Sequence, residues 1–112
     1  MAEAAGPASI EPKALSDRIA WADQALVVLD VRTPAEYAEG HVPGAINIPF
    51  TKMPYRMDIV PGGAEDELIV YCGHGPRAYI AAATLRHAGR KRILYLSGHW
   101  AAWLGAGLPI ER

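Results

Sequence analysis

Short apolar runs separated by helix-like segments constrain the fold of this chain more than any other feature. The clearest of them, Leu26 to Val31 and Leu68 to Tyr71, are rich in leucine, isoleucine and valine and have the length of buried strands. A continuous apolar run is expected where both faces of a parallel sheet are covered. The pattern therefore predicts an α/β fold, with a parallel sheet flanked by helices.

Local signals place the individual elements along the chain. Thr33, Pro34 and Glu36 form a capping-box signature for a short helix that ends near Gly40. Thr51 to Val60 is predicted as a loop with some helix. In chain order, the other predicted elements are strand Ser9-Ile10, helix Pro12 to Trp21 with Leu15, Ile19 and Trp21 inward, strand Leu26 to Val31, strand Ala45 to Ile48, strand Leu68 to Tyr71, a helix from Pro76 to about Gly89 with Ile80, Ala81, Thr84, Leu85 and Ala88 at helical spacing, strand Ile93 to Leu96, and helix His99 to Leu104.

Length and charge limit the classes of protein. A chain of 112 residues is one small domain, with a core predicted at about residues 9–110 and residues 1–8 as an N-terminal extension. The formal net charge of −1 gives no reason to expect nucleic acid or an anionic membrane as a partner. The first residues lack a basic region followed by a long apolar stretch. We therefore expect a cytoplasmic protein without membrane association.

The loop from Cys72 to Arg77 is the candidate site. Cys72 ends a predicted buried strand, and Pro76 suits the first position of the following helix. Backbone N–H groups and the helix dipole at such a position lower a thiol pKa from its free value of roughly 8.5. Gly73 and Gly75 allow the loop to curl with its amides inward, around an anion. A cysteine that ends a strand is often only a small buried hydrophobe, but the combination with these glycines and Arg77 favours a thiolate nucleophile.

Cys72 is the only cysteine in the chain. An internal disulfide is therefore excluded, and so is a second thiol that could resolve a bond to Cys72. Whatever Cys72 acquires must leave on an outside acceptor. The four histidines, His41, His74, His87 and His99, show no metal-ligand spacing. No metal site is expected.

Three stretches of the chain match a known pattern: Leu29 to Tyr37 with Gly40 to Pro49, Val70 to Cys72 with its loop, and Leu96 to Trp103 with Gly107 to Pro109. In combination they resemble the rhodanese family of sulfurtransferases. The resemblance implies a single rhodanese-like domain with a five-stranded parallel sheet, and no cofactor. It implies that Cys72 takes a sulfane sulfur from a small-molecule donor such as thiosulfate and holds it as a persulfide. The acceptor would be cyanide in assays and a thiol or a protein in cells.

Loop length separates this chemistry from that of phosphatases and arsenate reductases, which resemble it. Four residues lie between Cys72 and Arg77, whereas those enzymes have a Cys-x5-Arg pattern. A tetrahedral oxyanion needs a wider ring of amides than one terminal sulfur does. The shorter loop favours sulfur transfer over phosphate chemistry. A catalytically silent module that only binds a partner or carries sulfur remains the main alternative.

The chemistry of the residues near Cys72 suggests a role for each. Gly73, His74, Gly75, Pro76 and Arg77 form the loop expected to bind the substrate anion, which the N–H groups of this loop stabilise. Arg77 binds an anionic donor or orients the loop, and its alternative is a surface arginine. Arg32 resembles a family position near the pocket, but we favour a pairing with Asp30 or Glu36 that only steadies the turn.

Two histidines depart from the family pattern. His74 stands where many thiosulfate-using members have other polar or basic residues, and it either binds the donor or is merely solvated. His99 stands at the second glycine of the family's closing Gly-Gly pair. It could reach the rim of the pocket, but a surface or helix-end role is commoner for histidine and is favoured here.

We expect the protein to be a monomer or a weak dimer.

Overall fold

A computed structural model describes residues 8–23 and 25–112, and strands and helices alternate in it as the sequence predicts. Residues 1–7 of the predicted N-terminal extension lie outside the described residues. Two 3₁₀ turns, Met53–Tyr55 and Met57–Ile59, occupy the segment predicted as loop with some helix. The elements are β1 (Ser9–Ile10), α1 (Pro12–Ala20), β2 (Val28–Asp30), α2 (Pro34–Glu39), β3 (Ile46–Asn47), β4 (Glu67–Tyr71), α3 (Pro76–His87), β5 (Arg92–Leu96) and α4 (His99–Gly105).

The five strands form one parallel sheet in the order β1-β5-β4-β2-β3. The predicted five-stranded parallel α/β fold is confirmed. Because all strands are parallel, their carboxyl ends share one edge, where ligands bind in folds of this kind. β4 lies between β5 and β2. The segments that follow those two strands therefore flank Cys72.

Two apolar clusters cover the two faces of the sheet. Leu68, Val70 and Cys72 belong to the first cluster, together with the buried residues of α3. Ile69 and Tyr71 belong to the second, together with Leu15 of α1 and Trp103 of α4. The alternation follows from the period of two in a strand. Cys72 continues the alternation of β4 and faces α3.

Three residues predicted at apolar positions are exposed, namely Trp21, Ile80 and Ala88, and Ala88 follows the last residue of α3. Trp21 was expected to face inward, but it is the residue at which α1 ends, and 76% of its surface is exposed. Ile80 was expected among the apolar positions of α3, but it is 54% exposed. The buried face of α3 is formed by Ala78, Ala81, Ala82 and Leu85. Small alanine side chains let a helix lie close to a sheet, so a bulkier isoleucine is not needed there.

None of the helices in the described residues is both long and apolar enough to cross a bilayer.

Candidate active site

The Cys72 thiol is buried inside a ring of backbone amides. None of its surface is exposed. The N–H of Gly75 donates a hydrogen bond to Cys72 Sγ over 3.0 Å, and the amides of His74 and Ala78 also lower the pKa of the thiol. The loop and the first turn of α3 thus form a cradle that curls around the sulfur as expected, and the binding of an anion there stays a prediction.

The cradle favours the thiolate over the thiol. Burial by itself raises the pKa of the Cys72 thiol, whereas hydrogen bonds that stabilise the thiolate lower it. The groups that lower the pKa are the His99 side chain and the backbone amides of Ala78, Gly75 and His74. Their combined effect is the larger one, and the pKa falls to about 7. About half of the molecules would hold a thiolate at neutral pH.

Glycine is required at position 75 for the loop to close around the sulfur. Gly75 precedes α3 with a φ of 137°, which residues with a Cβ rarely adopt. A Cβ would also lie 3.4 Å from the Tyr79 ring and 3.5 Å from His99 Nε2. At Gly73 the constraint is one of space, because a Cβ would lie 3.0 Å from Arg77 Nη2. Both glycines therefore serve the curled loop.

Arg77 is held by a salt bridge to Glu36 of α2. Its guanidinium donates to the two carboxylate oxygens over 2.7 and 3.1 Å. The Arg77 hydrogen bond is the main reason that the Glu36 pKa falls to about 2. Glu36 also accepts a hydrogen bond from the Thr33 amide, in the predicted capping box. The alternative of a solvent-paired surface arginine is therefore wrong, and one carboxylate both caps α2 and orients the arginine of the loop.

Arg32 forms a buried ion pair with Asp30. Both side chains are at most 3% exposed, and the guanidinium donates to the carboxylate over 2.6 to 3.1 Å and to the Gly40 carbonyl over 2.7 Å. The Tyr71 hydroxyl donates to the same carboxylate over 2.8 Å. The guanidinium carbon lies 4.6 Å from the centre of the Trp100 ring. The favoured pairing of Arg32 with Asp30 is confirmed, and the role of Arg32 in binding substrate stays a prediction.

His99 contacts the loop from the other side. Its ring is only 4% exposed, and Nδ1 accepts a hydrogen bond from the Cys72 amide over 3.2 Å. His99 begins α4, as a helix-end role would require, but the preferred surface role is wrong. Its φ of 57° lies in the left-handed region, which costs a residue with a side chain on the order of 1 kcal/mol relative to glycine.

His74, in contrast, is exposed. It lines an open cleft of about 260 Å³ beside the buried His99. Tyr79 and Tyr95 form part of the same lining. The structure thus brings His74 to the rim of a cleft next to the cradle, and its role in binding a donor stays a prediction. Pro76, also exposed, starts α3 as predicted.

The predicted site residues that gather around the sulfur are those of the Cys72–Arg77 loop, while Arg32 is engaged with Asp30. Sequence reasoning missed two contacts, that of Glu36 with Arg77 and that of His99 with Cys72. A signal for His99 did exist, since it follows β5, the neighbour of β4. That signal could be interpreted only once the order of the strands in the sheet was known. Within residues 8–23 and 25–112, no three histidine, cysteine, aspartate or glutamate side chains lie together as potential metal ligands.

Comparisons with known proteins identify relatives of this chain by sequence and by fold. The family model described as a rhodanese-like domain matches residues 11–106. A protein named sulfurtransferase from Allochromatium vinosum is 41% identical over 90% of this chain and 92% of its own length. The chloroplastic thiosulfate sulfurtransferase 16 of Arabidopsis thaliana is 38% identical over 74% of this chain and 78% of its own. A human single-domain sulfurtransferase superposes with a TM-score of 0.75 at 26% identity, covering 89% of this chain and 97% of its own.

Proposed function

This chain belongs to the rhodanese-like domain family, and from that premise we propose that it is a sulfurtransferase that carries a sulfane sulfur on Cys72. The observation that carries the proposal is the cradle, a single thiol with a pKa of about 7 that accepts hydrogen bonds from backbone amides. Such a thiol is a nucleophile near neutral pH. The names of the relatives at 41% and 38% identity support the same chemistry.

The first half of the reaction loads the sulfur. The Cys72 thiolate attacks the outer sulfur of a donor such as thiosulfate, a new S–S bond forms at Cys72, and the S–S bond of the donor breaks. Sulfite leaves with the electron pair of the broken bond. The persulfide anion that remains on Cys72 carries one negative charge, which the amides of the loop stabilise.

The second half unloads it. Because the chain has a single cysteine, no second thiol of its own can displace the sulfur. An external acceptor attacks the outer sulfur, and the Cys72 thiolate leaves. With cyanide the product is thiocyanate, and with a thiol or a partner protein it is a new persulfide. Each cycle conserves electrons overall, so no redox cofactor is needed.

Arg77 and Glu36 set the charge at the mouth of the loop. Since the Arg77 guanidinium is paired with a carboxylate, its charge is largely balanced before any donor arrives. We propose that Arg77 chiefly orients the loop and contributes to the binding of an anionic donor through its remaining N–H groups.

The test is the steady-state formation of thiocyanate from cyanide with thiosulfate, mercaptopyruvate and a polysulfide as separate donors. Turnover with at least one donor supports the proposal and names the donor class. Hydrolysis of a phosphate monoester is measured on the same sample, since the phosphatase-like alternative predicts that activity instead. If no donor gives thiocyanate, the proposal fails in favour of a module that binds a partner or carries sulfur without catalysis.

The pH dependence of the loading step follows from the thiol pKa. Only the deprotonated thiol attacks, so kcat/KM for the donor is expected to rise with pH, reach half of its maximum near pH 7, and level off above that. An unperturbed cysteine would reach half of its maximum near pH 8.5. Rates measured from pH 5.5 to 9.5 in buffers of constant ionic strength separate the two midpoints. A midpoint of about 8.5 would contradict a cradle that stabilises the thiolate.

A further inference from the structure

Three hydrogen bonds connect the start of α4 to the Cys72–Arg77 loop. The amide of Trp100 donates to the Cys72 carbonyl over 3.0 Å, and that of Ala101 donates to the Gly73 carbonyl over 3.3 Å. In the opposite direction, the Cys72 amide donates to His99 Nδ1 over 3.2 Å. The first two bonds use only backbone atoms and would form with any residue at position 99. The third needs the imidazole.

The hydrogen bond at Nδ1 determines the state of the ring. An imidazole nitrogen can accept a hydrogen bond only when it carries no hydrogen, so the neutral ring must carry its hydrogen on Nε2. Nε2 lies on the loop side, 3.5 Å from the place where a Cβ of Gly75 would be. The Gly75 amide itself donates to Cys72 Sγ. The N–H of the imidazole is thus beside the ring of donors that surrounds the sulfur.

The backbone of His99 points to a function for this side chain. A residue with a Cβ is held at a φ of 57°, where glycine would fit without strain. Strained residues of this kind persist where the surroundings fix them, and they cluster at active sites. The ring is also buried beside the paired rings of Tyr79 and Tyr95, whose centres are 6.1 and 6.4 Å away. The imidazole is buried, its backbone is strained, and it accepts a hydrogen bond from the amide of the nucleophile. Packing alone would require none of these features.

We propose that His99 is a positioning residue for the nucleophile: its neutral imidazole fixes the Cys72 amide through Nδ1 and presents the N–H of Nε2 to the thiolate and to the persulfide. This inference deepens the proposed function, because it adds a side chain to a cradle otherwise built from backbone. The contribution of the His99 hydrogen bond to the lowered pKa of Cys72 agrees with it.

The other ionisable groups near His99 and Cys72 are few. The groups that face the imidazole are Cys72, the exposed His74 across the cleft, and the hydroxyls of Tyr79 and Tyr95. Near the thiol, the charge of Arg77 is paired with Glu36, and that of Arg32 with Asp30. Neither ion pair contains a histidine.

The test compares two replacements of His99. Asparagine tolerates the left-handed region, and its side-chain oxygen can accept from the Cys72 amide as Nδ1 does, but it has no group at the place of Nε2. Glycine removes the strain together with the ring. The Cys72 pKa is measured from the ultraviolet absorbance of the thiolate, with Cys72→Ser as the blank. His87→Asn, an exposed histidine at the end of α3, is the matched control.

We expect the Cys72 pKa to rise by about one unit in both His99→Asn and His99→Gly, and to stay unchanged in His87→Asn. A rise of that size lowers the thiolate fraction at pH 7 about fivefold. A purely structural His99, needed only to accept from the Cys72 amide, predicts instead that His99→Asn keeps the low pKa. That result would overturn the proposal.

A measurement on the unmodified protein keeps the proposal testable if either variant fails to fold. In the ¹⁵N NMR spectrum, the His99 ring is expected as the tautomer with hydrogen on Nε2, and its shifts should follow the titration of Cys72 in the native protein but not in Cys72→Ser. The opposite tautomer would overturn the proposal. These readouts measure the thiol and not sulfur transfer, so a protein with His99-dependent pKa and no turnover would refute only the proposed function.

Discussion

Replacing Cys72 with serine is expected to reduce thiocyanate formation by at least about 10³-fold with every donor. The hydroxyl can occupy the same cradle and still accept from the Gly75 amide, but a serine hydroxyl is not ionised near neutral pH and is a weak nucleophile without a base. No other cysteine can take its place. Initial rates at saturating donor and cyanide provide the measurement.

The serine variant carries its own control for folding. Since Cys72 is buried and serine is close to it in size, the circular dichroism spectrum and the urea midpoint should change little. A folded variant that keeps more than about a tenth of the activity would show that sulfur passes through another group.

Replacing Asp30 with alanine is expected to lower the free energy of unfolding by about 3–5 kcal/mol. The carboxylate accepts hydrogen bonds from the Arg32 side chain, the Arg32 amide and the Tyr71 hydroxyl. Its removal would leave the Arg32 charge buried without a counterion, in a side chain only 3% exposed. Domains of this size have a free energy of unfolding of about 5–15 kcal/mol. The expected loss is therefore a large fraction of the total stability. Urea titration at pH 7 measures it.

Two controls give this prediction its specificity. Asp17→Ala breaks an exposed pair with Lys13 and is expected to cost less than about 1 kcal/mol. The double variant Asp30→Ala with Arg32→Met removes both buried charges and should recover a substantial part of the loss, because an apolar pair in place of a buried ion pair is often tolerated. A double variant as unstable as Asp30→Ala alone would contradict the explanation by an unpaired charge.

The residues that could be predicted from the sequence are those whose signals are local. Cys72 at the end of β4, Pro76 at the start of α3 and the capping box of Thr33 with Glu36 each depend on residues a few positions apart. Apolar runs and cap residues act over such distances. The α/β pattern and the loop of the site therefore follow directly from the printed sequence.

The contacts that tune the site could not be predicted in the same way. Arg77 and Glu36 are 41 positions apart, as are Tyr71 and Asp30, and Cys72 and His99 are 27 apart. These pairs meet because β4 lies between β2 and β5, and local periodicity does not determine strand order. Ile80 shows a related limit, since helical spacing identified apolar positions of α3 but not the face that packs on the sheet.

The central claim is that Cys72 carries the transferred sulfur. It is tested most directly by the intact mass of the protein after incubation with a donor and no acceptor. The account predicts a gain of one sulfur atom, located on Cys72, absent in Cys72→Ser, and released as one equivalent of thiocyanate on addition of cyanide. A protein that turns over thiosulfate but never gains this mass, or gains it equally in Cys72→Ser, would contradict the account.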